Sequence, residues 1–252
     1  SLALTLYGDL DVSQLRVKPA GRLPIETQVV SPHERQKKYE FIREQVKLGR
    51  QVFVICPTIN ADEKKSVTME YEHLATEIFP DLRVGWLHGK MKAVEKDAAM
   101  QAFASGALDI LVATSVVEVG VNIPNATVMM IEGAESFGLA QLHQFRGRVG
   151  RSDHQSFCFV FTDSDSTKVK DRLAFFASTT DGFQLAEFDL ETRGPGEVYG
   201  QTQSGLMQLK LATLQDTILI KQARELARGI NFKKYPSLAK AVADWETETH
   251  RE

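Results

Sequence analysis

The sequence lacks a phosphate-cradling loop of the form GxxxxGK followed by Ser or Thr. It therefore has no self-sufficient site of the P-loop kind for a nucleoside triphosphate. The nearest string, Gly85-Trp86-Leu87-His88-Gly89-Lys90-Met91, has one residue too few between its glycines. It also places Met where the metal-ligating hydroxyl belongs. Asp62-Glu63 sits in a polar loop several residues beyond the strand-like run ending at Cys56, and reads as a solvated turn rather than a magnesium pair. Gly194, Gly196 and Gly200 follow no strand and are interrupted by Pro195, which excludes a dinucleotide fingerprint. Only 2 cysteines are present. Cys56 and Cys158 each lie in an apolar run, and CxxC and HExxH are both absent. Buried inert thiols, a cytoplasmic location and no metal site of the protein's own are therefore expected. No apolar run approaches the ~18 residues that cross a bilayer. SLALTLYGDL lacks the basic flank of a signal peptide, so no membrane contact is expected. Excess positive charge is missing too: the formal net charge is −3. A protein that binds DNA over its whole surface is usually basic, so nucleic-acid contacts must come from local Arg and Lys clusters. The chain starts on Ser1 rather than Met, and reads as a piece cut from a longer polypeptide.

What is present is a regular alternation. Strand-like runs occur at 27–30, 51–56, 83–87, 109–114, 127–131 and 156–162. Several are continuously apolar, as in a parallel sheet covered on both faces. Helix-like stretches at 33–48, 66–78, 91–104 and 138–149 separate most of them. This pattern predicts a three-layer α/β domain with a mainly parallel sheet. Ser31-Pro32 is a fitting start for the helix at 33–48 and Gly49 a fitting stop. Beyond about residue 163 the character changes to two helices (165–177 and 181–190), a Gly- and Pro-rich loop (191–205) and helix-like segments at 208–228 and 236–248.

Two strings carry chemistry. In QLHQFRGRVGR (141–151), a continuous helix would place Gln144, Arg148 and Arg151 on one face, with Arg146 pointing elsewhere. Planar guanidinium groups offered from a second lobe stabilise the charge that spreads over a γ-phosphate during transfer. Gly147 and Gly150 weaken a helix but let another backbone or a nucleotide come close. The plainer alternative is an arginine-rich solvated helix. VATSVVEVGVNIPNA (112–126) follows a strand, where open α/β sheets bind ligands. Thr114 and Ser115 offer hydroxyls and N–H groups to a phosphate of either DNA or nucleotide, and Glu118 and Gly120 shape the turn. The plainer alternative here is an ordinary strand-to-helix connection.

Together these strings resemble motifs V and VI of superfamily 2 helicases. FVICPTI (53–59) looks like motif IV, and LHGKM (87–91), with His88, resembles the short motif after it. LALTLYGDLDVS (2–13) looks like the segment after motif III in RecG-type helicases. DGFQLAEFDLETRGPGEVYGQTQSG (181–205) resembles the translocation motif shared by RecG and the transcription-repair coupling factor.

The resemblance implies a RecA-like lobe followed by a helical hairpin, a loop and C-terminal helices. Its implied divisions are a linker from a first lobe (1–24), the second motor lobe (25–163), the hairpin and loop of the translocation motif (164–205) and a C-terminal helical segment (206–252). It implies an ATP-dependent DNA helicase that reverses replication forks and processes Holliday junctions. ATP and Mg2+ would be held mainly by the first lobe, and branched duplex DNA would be gripped by a wedge domain of the same polypeptide. Arg148 and Arg151 are similar to the family's arginine fingers. Gln144, Glu118 and Gly120 fall on its nucleotide side, and Thr114, Ser115, His88, Arg172, Arg193 and Gln203 on its DNA-binding and coupling side. Arg193 would touch a DNA phosphate, and Arg172 would pair with Glu187 or Asp189. Asn122 departs from the Asp of many relatives and offers no charged acceptor to a ribose hydroxyl. QLRVKPAGR (14–22) departs from the usual acidic, double-proline linker. A lobe of the transcription-repair coupling factor and a catalytically dead scaffold are the competing readings.

Overall fold

The computed structural model describes residues 23–58, 63–114, 123–186, 188–189, 222–223, 225–227 and 229–249. Six strands run in chain order: β1 (Glu26–Val30), β2 (Gln51–Ile55), β3 (Val84–Leu87), β4 (Ile110–Ala113), β5 (Ala126–Ile131) and β6 (Phe157–Phe161). They form one sheet of order β1-β6-β5-β2-β4-β3, and every neighbouring pair is parallel. The apolar runs therefore formed the expected parallel sheet, each within a residue or so of its predicted bounds.

Strand residues alternate between two cores, as a period of two requires. Val52, Val54, Ile110, Val112, Val128, Met130, Phe159 and Phe161 face one side. Phe53, Ile55, Leu111, Ala113, Met129, Ile131, Cys158 and Val160 face the other. Helices α1 (Arg35–Lys47) and α2 (Glu63–His73) cover the first face, through Tyr39, Ile42 and Val67. Helices α3 (Ala93–Ala104), α4 (Leu139–Arg146) and α5 (Thr167–Ser178) cover the second, through Phe103, Leu139, Leu142, Phe145, Leu173 and Phe176. Three layers result, with the strands buried on both faces.

Local signals set the helix ends. The Ser31 hydroxyl and backbone N–H both donate to Glu34 Oε2, at 2.7 and 3.2 Å. A short turn, Pro32–Glu34, leads from there into α1. Gly49, at φ 78°, stops the chain just past α1. The helix predicted over 66–78 is α2 followed by a wider turn, Leu74–Ile78, in which Phe79 N–H donates to Leu74 O at 2.6 Å.

The change of character near residue 163 does not coincide with a break in packing. The compact unit holding the sheet extends to Asp189. Leu173, Phe176 and Leu185 are fully buried in the same core as α4. Residues 182–186 are helical, the start of the second helix expected there. Residues 190–252 fall in a separate unit. Its described part has a turn, Phe232–Lys234, capped by Asn231 Oδ1 accepting from Lys233 N–H at 3.1 Å, and a helix, Pro236–Thr249. Among the described residues no helix is long and apolar enough to cross a membrane.

Candidate functional site

The expected arginine face is not helical. Helix α4 ends at Arg146, and Gly147 caps it. Arg148 lies two residues past the helix, and Gly150 has φ 76°, a left-handed conformation that an α-helix cannot contain. Gln144 is exposed on α4, while Arg148 and Arg151 are half-buried in the turn that follows. Arg148 N–H donates to Phe145 O at 2.9 Å, and Arg151 Nη2 donates to Gly147 O at 3.4 Å. The turn, rather than spacing on a helix, presents the two arginines.

This turn lies at the amino ends of β1 and β6. Glu26 N–H donates to Ser156 O at 3.0 Å, and Gln155 Nε2 donates to Pro24 O at 2.8 Å. His88 and Thr114 instead follow the carboxyl ends of β3 and β4. The candidates thus divide between two edges of the sheet. Ser115, Glu118, Gly120, Asn122, Arg193 and Gln203 lie outside the described residues.

At the carboxyl edge, His88 is 4% exposed. Its ring stacks on Trp86, with centroids 5.4 Å apart, and Nδ1 accepts from Lys90 N–H at 3.2 Å. The ring holds the β3–α3 turn from within. Thr114 is fully buried, and its hydroxyl has no hydrogen-bond partner among the described residues. Leaving such a group unsatisfied costs about 1–3 kcal/mol. Arg35 and Glu132 close the same edge over β5 and β6. Arg35 Nη1 donates to both carboxylate oxygens of Glu132, at 2.8 and 2.9 Å, and its Nη2 donates to Asp163 at 3.0 Å. Burial pushes the Glu132 carboxyl up to about 7, against the pull of Arg35. Burial lowers Arg35, but the Glu132 charge and hydrogen bond outweigh it and raise the guanidinium overall.

Two further arginines hold α4 at its ends. Arg172 donates from Nη1 to Phe137 O and from Nη2 to Glu135 O, both at 2.8 Å. This fastens α5 to the segment entering α4; Glu187, one of the two partners expected for Arg172, lies outside the described residues. Arg146 is 4% exposed and is turned inward. It donates to Phe176 O at 3.0 Å, Thr179 O at 2.9 Å and Thr27 Oγ1 at 3.5 Å, and it lies 4.4 Å from the Phe176 ring centroid. Its Nη2 is 3.0 Å from His143 Nδ1, so that nitrogen accepts. Burial lowers its pKa. The signal was present in the sequence: Leu139, Leu142 and Arg146 share the apolar stripe of α4 at helical spacing.

Among the described residues no three His, Cys, Asp or Glu side chains gather as a metal site. The arrangement supplies guanidinium donors at one edge of the sheet and a buried hydroxyl and ordered turn at the other.

Residues 37–153 match the helicase conserved C-terminal domain, and residues 179–244 match the C-terminal part of domain 3 of the ATP-dependent DNA helicase RecG. The chain is 48% identical over 247 residues to the Synechocystis protein named ATP-dependent DNA helicase RecG, covering 94% of this chain and 30% of that protein. It is 43% identical to the Bacillus subtilis protein of the same name, covering 91% and 34%. The chain thus spans about a third of the length of these relatives. A solved structure of RecG bound to a three-way DNA junction superposes with a TM-score of 0.70 at 41% identity, covering 89% of this chain and 28% of that one. A Saccharomyces cerevisiae Dbp5 structure, at 16% identity and a TM-score of 0.51 over 76% of this chain and 50% of that one, shares the fold.

Proposed function

We propose, from the match of residues 37–153 to the helicase conserved C-terminal domain and of residues 179–244 to the C-terminal part of RecG domain 3, that this chain is the second motor lobe of an ATP-driven helicase acting on branched DNA. The work of the whole protein is fork reversal and Holliday junction processing in the cytoplasm. The observation that carries this reading is the capped turn after α4, which presents Arg148 and Arg151 beside the amino edge of the sheet. The match to RecG over residues 179–244 favours that family over the transcription-repair coupling factor.

In this reading the first lobe of the same polypeptide holds ATP and Mg2+. Nothing in the described half is assigned to the metal. The magnesium ion would neutralise charge on the β- and γ-phosphates. Arg148 and Arg151 offer planar guanidinium groups to the γ-phosphate oxygens as negative charge develops there, and Gln144, on α4 just before their turn, is a polar nucleotide-side contact. Glu118 and Gly120, outside the described residues, are assigned to the nucleotide side in the same proposal. Thr114 and Ser115 take a DNA phosphate at the carboxyl edge, with His88 ordering the neighbouring turn. Arg172 ties α4 to α5, so that closure of the lobes moves the hairpin, and Arg193 and Gln203 of the loop grip duplex DNA.

The test is Arg148→Ala and Arg151→Ala in the full-length protein, with kinetics on forked DNA. Fingers of this kind are worth about 10³ or more in rate. The loss should fall on kcat and spare most nucleotide binding, and Lys should not rescue it. Near-normal kcat in both variants would remove the reading.

A further inference from the structure

Gly150 has a specific neighbour. A Cβ built on it would stand 2.9 Å from Ile25 Cγ1 and 3.0 Å from Ile25 Cδ1. The close approach at this glycine is made by a side chain of the same chain, at the point where the polypeptide enters the lobe. Three more contacts fasten that entry to the arginine-bearing turn and its flanks. Gln155 Nε2 donates to Pro24 O at 2.8 Å, Glu26 N–H donates to Ser156 O at 3.0 Å, and Arg146 Nη1 donates to Thr27 Oγ1 at 3.5 Å. Ile25 is partly buried and packs against the same core as Phe145 and Val149, which flank the turn.

We propose that Ile25 is a positioning residue for ATP hydrolysis: its side chain, seated against Gly150, sets the left-handed turn that presents Arg148 and Arg151. The physical argument is one of shape. Gly150 at φ 76° takes a conformation that few other residues adopt readily. Glycine is also free to leave it, because it has no side chain to lock the backbone. A branched side chain packed directly on the Cα removes that freedom. Arg151 is the next residue and Arg148, tied to the end of α4 through Phe145 O, lies two before, so a change of backbone at Gly150 moves Arg151 relative to Arg148. Displacement of a catalytic group by about 1 Å costs around 10²-fold in rate. Residues 1–24 precede this contact directly, so the segment read as the inter-lobe linker ends on the finger turn itself. This proposal rests on the finger reading of Arg148 and Arg151.

The experiment uses the full-length protein and measures DNA-stimulated kcat, KM for ATP and thermal unfolding. Ile25→Ala should lower kcat by about tenfold or more with KM within about twofold, the pattern of a lost transition-state contact. Ile25→Val, which keeps the branch at Cβ, should restore kcat to near normal. Gly150→Ala should lose kcat through clash and strain, and Ile25→Ala added to it should recover part of the loss, because residues in contact are not additive. If Ile25→Ala alone does not unfold cooperatively, Ile25→Val and Gly150→Ala, each made alone, read the same contact: near-normal kcat in the first with kcat lost and KM kept in the second supports the proposal, and normal kcat in Gly150→Ala overturns it. Normal kcat in Ile25→Ala alongside an impaired Arg148→Ala overturns the positioning role and leaves the fingers standing. Normal kcat in Arg148→Ala and Arg151→Ala overturns the finger reading itself.

Discussion

The guanidinium of Arg146 donates to the backbone carbonyl of Thr179 at 2.9 Å. That one bond joins the last residue of α4, just before the arginine-bearing turn, to the cap of α5, which leads into the RecG-like segment. The second carbonyl in its reach, Phe176 O, belongs to the last turn of α5, where the final four carbonyls of a helix have no partner within the helix. A buried cation there satisfies two acceptors at once and complements the negative end of the helix dipole.

Arg146→Ala should therefore cost this chain about 2–4 kcal/mol, because it strands buried carbonyls as well as removing a charge-assisted bond. Arg146→Lys should recover only part of that, since an ammonium cannot span both carbonyls in a fixed plane. Urea unfolding of the purified chain measures both. A loss below about 0.5 kcal/mol for Ala, the level of an ordinary surface change, would mean that the contacts carry no stability.

The Glu132 carboxyl gives a pH dependence of known sign. Its folded pKa stands at about 7, above the ordinary 4.5, chiefly because burial disfavours the charge. The folded state therefore holds a proton that the unfolded state has released between these values. Stability from this group is fully present below 4.5 and falls as pH rises toward 7. Glu70, also raised by burial, adds to the same slope. Glu132→Gln should flatten the fall in unfolding midpoint across that window. A variant with the parent's slope would assign the titration elsewhere.

On its own, the chain should hydrolyse no ATP, with or without forked DNA. It has no phosphate loop, and arginine donors alone do not compensate the buried charge of a triphosphate. Turnover that co-purifies with the chain and is lost in Arg148→Ala would contradict this.

Coupling should separate from chemistry at Arg193, which lies outside the described residues. In the full-length protein, Arg193→Ala should keep DNA-stimulated hydrolysis within about threefold while fork unwinding falls much further, with the salt slope of DNA binding lowered by about one. Both rates are to be measured on one substrate at one salt concentration. Equal loss of the two would place the loop in the ATP site or in folding.

Local sequence determined the architecture. Continuous apolar runs such as QVFVI and ATVMMI have no polar face to give to water, so they must lie between two layers. Ser31, Glu34 and Gly49 mark helix ends through bonds and angles within a few residues of themselves. The motif strings pointed to the family for the same reason, because they are contiguous. The end of α4 was not legible, because QLHQFRGRVGR suits a helix until tertiary contacts hold Gly150 in a left-handed turn. The inward face of Arg146 was legible in the helical spacing, but its partners were not, since its bond to Thr27 spans 119 residues of sequence. The division of the candidates between two sheet edges follows from strand order, which no single segment encodes. Periodicity records what each segment must bury; which residue meets which is decided when the sheet closes and distant segments compete for the same space.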